Sequence, residues 1–156
     1  PTPEERLTRS WDNVHKKLIE MAEDFPEELY TYKAHPDVRS FGEELLHVAA
    51  ANTVVAEIAG GREGSFGQIF GEISKDFEYT SKADTVAKLK KSVEAVAATV
   101  KGEDKFRLIS LLEHAGEHYG KLVIYYRNNG LVPPSTRRQQ ARRRQQQQQQ
   151  TQKQNQ

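Results

Sequence analysis

The sequence predicts an all-α fold, a four-helix bundle. Three observations point to it: four segments carry apolar residues at alternating spacings of three and four, none alternates with the period of a strand, and helix start and stop residues bracket them. No internal repeat competes with this reading.

In the first segment Leu7, Trp11, Val14, Leu18, Met21 and Phe25 form the apolar stripe of an amphipathic helix from about Pro3 to Asp24, stopped by Pro26. A second helix starts at Ser40, whose hydroxyl can cap the first turn while Glu43 reaches back, and runs to the Gly60-Gly61 pair. Its inward face is expected to hold Phe41, Leu45, Val48, Asn52, Val55 and Ala59. Residues 60–80 contain five glycines among Phe66, Ile69, Phe70 and Ile73, and read as a long crossover loop with one helical turn at most.

Ser81 followed by Asp84 marks the next start, Val86, Leu89, Val93, Val96, Ala97 and Val100 supply the period, and Gly102 ends the helix. A fourth helix over about residues 103–129 carries Phe106, Ile109, Leu112, His114, His118, Leu122 and Tyr125 before a left-handed stop at Gly130 and the Pro133-Pro134 pair. The connections 25–39 and 60–80 are long enough to join parallel neighbours. The chain thus divides into a bundle domain, residues 1–134, and a Gln/Arg-rich tail, residues 135–156, with nothing to bury and an expectation of disorder.

Composition excludes several function classes. The 156 residues suffice for one domain with a real core. No apolar run reaches the ~20 residues of a membrane-spanning helix. Cysteine is absent, which removes disulfides, thiolate ligands and a cysteine nucleophile, so any metal must use nitrogen and oxygen donors. The net charge of +1 hides an asymmetry: six cations and no acid lie in the tail, leaving the rest of the chain net acidic. A core without a basic stripe argues against nucleic-acid binding, except through an Arg-rich tail that could touch RNA or an anionic surface. No phosphate-binding glycine loop and no GxSxG motif is present.

The residues that can carry chemistry are histidines. His114 and His118 are four apart on the fourth helix, so both imidazoles leave one face with Cβ atoms ~6 Å apart. That suits two ligands of one ion, and equally two imidazoles paired with Glu113, Glu117 or backbone carbonyls. His47 lies midway along the second helix in an alanine- and valine-rich stretch, where its nitrogens need partners. Three neutral imidazoles from two helices could hold a divalent ion such as zinc or nickel with one position open. His15, beside the first helix's stripe, and His35, before Pro36 in a loop, read as solvated or hydrogen-bonded and are not assigned as ligands.

Three elements in order resemble the DinB-like (DinB/YfiT) family of metalloenzymes: the histidine after the RSF segment, here His47; the HxxxHYG unit, residues 114–120; and the YxRxxGxVPP ending, residues 125–134. The resemblance spans about residues 11–135. It implies a left-handed bundle with up-up-down-down connections, a divalent metal on His47, His114 and His118, and frequently a homodimer. It also implies a thiol-dependent transferase or a related enzyme, with water or a low-molecular-weight thiol activated in the open position and a small electrophile as substrate. Glu44 and Glu117, each three residues from a ligand histidine, are candidates to orient an imidazole, and Tyr125, a heptad beyond His118, is a candidate to line the same interior. A non-catalytic, dimeric helical-bundle binding module with a structural or absent metal is the alternative. A cytoplasmic location is the default expectation, with export behind a cleaved signal as the other reading.

Overall fold

The computed structural model describes residues 1–154. It is all helical among the described residues, with α1 (Pro3–Asp24), α2 (Phe41–Ala59), α3 (Phe66–Ile73), α4 (Lys82–Thr99), α5 (Arg107–Asn128) and α6 (Pro134–Gln154). Short 3-10 turns precede α2, follow α3 and lead into α5.

The starts follow from capping chemistry. Ser40 accepts a hydrogen bond from the amide of Glu43 while the Glu43 carboxylate accepts from the amide of Ser40, so two orphan donors are satisfied reciprocally. Thr2 and Glu5 do the same for α1. The crossover departs from the sequence expectation, because α3 is a two-turn helix in residues read as loop. Ser65 and Gln68 form a third capping box there, which outweighs the cost of Gly67 and Gly71.

α1, α2, α4 and α5 form the bundle. α1 and α2 each pack against both α4 and α5, and the α2–α4 pairing is the most extensive. Directions follow from end contacts. Phe25 at the end of α1 stacks on Phe41 at the start of α2, with centroids 3.7 Å apart. Lys82 at the start of α4 donates to the Phe25 carbonyl. Lys105, just before α5, pairs with Glu4 at the start of α1, while Tyr126 near the end of α5 donates to Met21 and Asp24. The connectivity is therefore up-down-down-up, a correction to the up-up-down-down order expected from the resemblance. The 25–39 connection folds back on itself, with the amides of Phe41 and Gly42 donating to the carbonyls of Tyr32 and Tyr30, so it reverses the chain. Only the 60–80 crossover spans the bundle and makes its flanking helices parallel.

Two apolar clusters fill the interior. Phe25, Tyr30, Phe41, Leu122 and Tyr126 belong to one, and Trp11, Val55, Val96, Leu108 and Leu111 to the other. α2 is buried around most of its surface, and the run Ala49-Ala50-Ala51 lets neighbours approach closely. The expected α5 face is shifted at its start: Leu108 and Leu111 are buried, whereas Phe106 and Ile109 are 61% and 59% exposed.

Where disorder was expected, Pro134–Gln154 is helical, and residues 155–156 lie outside the described residues. Gln and Arg are strong helix formers, and no Gly or Pro interrupts the segment after Pro134. Only its first turns touch the bundle: Arg137 and Arg138 pair with Asp24 and Glu20 of α1, and Ser135 meets the Tyr119 hydroxyl at 2.7 Å.

Candidate metal centre

His47 from α2 and His114 and His118 from α5 meet between the two helices. The Nε2 atoms of His47 and His114 are 3.0 Å apart, and those of His114 and His118 are 3.1 Å apart. α2 is the most buried helix and α5 crosses it, so helical spacing alone aims the pair at 114 and 118 toward the middle of α2.

The protonation of these groups follows from their surroundings. The buried Glu44 carboxylate contacts Nδ1 of His118, and since a carboxylate only accepts, that nitrogen carries the proton. With its proton at Nδ1, the His118 ring turns Nε2 toward His114. Burial, reinforced by the charges of Arg39, His118 and His114, pushes His47 down to about 4. Burial, reinforced by His118, does the same to His114, also to about 4. Burial alone would raise the Glu44 carboxyl, but the hydrogen bond and charge of His118 hold it below its ordinary value. Neutral imidazoles with converging lone pairs repel one another unless a proton or cation lies among them. Separations near 3 Å match those of neighbouring nitrogens around one ion with metal–nitrogen bonds of about 2.0–2.1 Å. Among the described residues these three form the group able to hold a metal ion.

The other sequence candidates fall in different places. Glu117 does not orient a ligand; it turns to solvent and pairs with Lys121 at 2.8 Å, because Lys121 is its neighbour one turn on along the exposed face. Tyr125 is buried, and its hydroxyl donates to the Arg39 carbonyl, which ties the loop before α2 to α5. His114 Nδ1 is buried without a hydrogen-bond partner among the described residues. His15 is fully buried, with Nδ1 2.9 Å from the Trp11 carbonyl, and His35 lies exposed beside Asp37.

Two clefts flank the triad and share His47 and Phe70. One, of about 930 Å³, is lined by charged groups including Lys33, Arg39, Glu43 and Lys121. The other, of about 730 Å³, is lined largely by Val55, Ile58, Phe66, Phe106 and Leu111, with His114. The sequence reading missed the aromatic wall. Its available signal was the Phe66/Phe70 spacing, which puts both rings on one face once α3 is a helix.

Comparison with known families agrees with this architecture. The family model for the DinB superfamily matches residues 10–126, a stretch that contains His47, His114, His118 and Glu44. No curated protein matches the chain. The match covers well over half of the sequence, and the chain belongs to the DinB superfamily.

Proposed function

We propose that this DinB-superfamily chain is a divalent-metal-dependent enzyme, of the thiol S-transferase or hydrolase type, acting on a small electrophile at His47, His114 and His118. The observation that carries the reading is the convergence of three Nε2 atoms with Glu44 fixing the tautomer of one ring. Zinc or nickel suits three imidazole donors. A divalent ion held this way lowers the pKa of a coordinated water or thiol toward neutrality and so supplies a nucleophile at ordinary pH.

The chain's own residues supply the rest. Glu44 holds the His118 ring in one orientation, burial keeps His47 and His114 unprotonated, and Lys33, Arg39 and Lys121 stand among Asp37, Glu43 and Glu78 in a cleft of mixed charge on one side of the site. A homodimer belongs to the same reading, supported by Ile109 and Ile124, which stand 59% and 52% exposed on α5. No described helix is long and apolar enough to cross a membrane.

Elemental analysis of the purified chain beside His47→Ala and His114→Ala tests the proposal. One equivalent of metal in the parent, lost in both variants, is the expected result. Metal content unchanged by either substitution overturns the site, and no uptake after incubation with zinc or nickel leaves a non-catalytic bundle.

A further inference from the structure

We propose that the cleft between α3 and the start of α5 is a subsite for an apolar arm, aryl or branched alkyl, of the substrate held at the three histidines. The inference rests on the metal-site reading and adds the class of substrate. The two clefts beside His47 differ in chemistry, one lined by charged groups and the other by Val55, Phe66, Phe106 and Leu111. A substrate reaching the histidines from the second side must bring apolar surface with it.

The wall is built rather than left over. Phe66 and Phe70 lie nearly parallel, with centroids 5.9 Å apart and planes 17° apart, and the edge contact of Phe70 with His47 at 5.5 Å joins this wall to the triad. On the opposite side the Arg107 guanidinium lies 5.0 Å from the centre of the Phe106 ring, and Arg107 is itself fixed by Asp104 at 2.9 Å. Phe66 and Phe106 remain 45% and 61% exposed, an uncommon amount of aromatic surface to leave in water beside converging polar groups. A planar or branched apolar group between them removes that surface from water and meets rings already in place. The polar remainder of the substrate then faces the cleft of Lys33, Arg39 and Lys121.

Titration calorimetry on the zinc-loaded full chain tests this with two probes that share a metal-binding head and differ in the arm, acetohydroxamate and 4-phenylbutanohydroxamate. The expected result is binding of the phenyl probe about tenfold tighter. In Phe66→Ala and Phe106→Ala, whose side chains are partly exposed, the metal content and acetohydroxamate affinity stay as they were while the preference falls below about threefold. Equal affinity of the two probes for the parent, or a preference that survives both substitutions, overturns the subsite while leaving the metal site standing. A chain that takes up no metal overturns the metal-site reading and the subsite with it. If Phe106→Ala dissociates a dimer and leaves the preference unchanged, the aromatic surface belongs to a second copy of the chain and the proposal is wrong.

Discussion

Glu44 and His118 are both buried, and the carboxylate of one accepts the Nδ1 hydrogen of the other across the α2–α5 interface. The contact links two helices whose residues are 74 positions apart in sequence. It also fixes which His118 nitrogen is free to face His47 and His114. Glu44→Gln keeps the shape of the side chain and weakens the acceptor, so metal affinity should fall by about 10- to 100-fold with little change in helix content. Competitive chelator titration measures the affinity, and circular dichroism the fold. An affinity within twofold of the parent would show that His118 is held by packing alone.

His15 makes a separate prediction about pH. Burial holds its pKa below the ordinary value of 6.5, although the hydrogen bond to the Trp11 carbonyl works the other way. The unfolded chain therefore binds a proton near the ordinary value that the folded chain refuses. Stability from this group is complete above the ordinary pKa and is lost as pH falls toward the folded one, by at most about 1.4 kcal/mol per unit. In the metal-free chain, urea unfolding between about pH 7.5 and 5.5 should give falling stability, and His15→Gln should flatten the slope. His47 and His114 act with the same sign, so some slope remains. An identical slope in the variant would mean that His15 is protonated in the folded chain.

The parts legible in the sequence were those written in local chemistry. Ser40 with Glu43, Ser81 with Asp84 and Gly130 with its φ of +70° mark helix ends through contacts three or four residues long. The histidine pair at 114 and 118 follows from the helical repeat, and His47 stands out as a polar side chain in an alanine- and valine-rich stretch, whereas choosing a metal site over solvated or paired imidazoles drew on a motif shared with a family. Chain direction was not legible, because it depends on meetings such as Phe25 with Phe41 and Lys105 with Glu4, which no local pattern encodes. α3 was hidden because Gly67 and Gly71 mask a capping box of the same kind as that at Ser40. The aromatic cleft was hidden with it, since Phe66 and Phe70 share a face only after the helix forms.

Asp24 joins the bundle to α6. It accepts hydrogen bonds from Arg137 and from the buried Tyr126 hydroxyl, the latter at 2.9 Å. Its burial works against ionisation, but these two partners hold its carboxyl below the ordinary value. Asp24→Ala should cost about 1–2 kcal/mol, mainly by removing a partner from Tyr126. Truncation after Arg138 should change stability by less than about 0.5 kcal/mol, because residues 139–154 are exposed. Thermal unfolding of the two variants separates these effects. A large loss on truncation would mean that the helix beyond Arg138 packs on the domain.

Gly42 lies in the first turn of α2 and Gly116 in the middle of α5, and opposite outcomes are expected when each becomes alanine. A Cβ on Gly116 meets nothing within 4 Å, so Gly116→Ala gains helix propensity and should stabilise by about 0.5–1 kcal/mol. A Cβ on Gly42 would sit 2.6 and 2.9 Å from Tyr79 ring carbons and 3.1 Å from the Tyr30 ring. Tyr30 is fully buried and bonded to the Ala22 carbonyl, so it cannot retreat, and the strain falls on Tyr79 and the end of the crossover. Gly42→Ala should therefore destabilise by about 1–3 kcal/mol, since this strain exceeds what a first-turn alanine gains in propensity. The melting temperatures of the two variants should move in opposite directions. If both rise, Tyr79 swings clear at no cost, and the crossover is not pinned to the start of α2 by that ring.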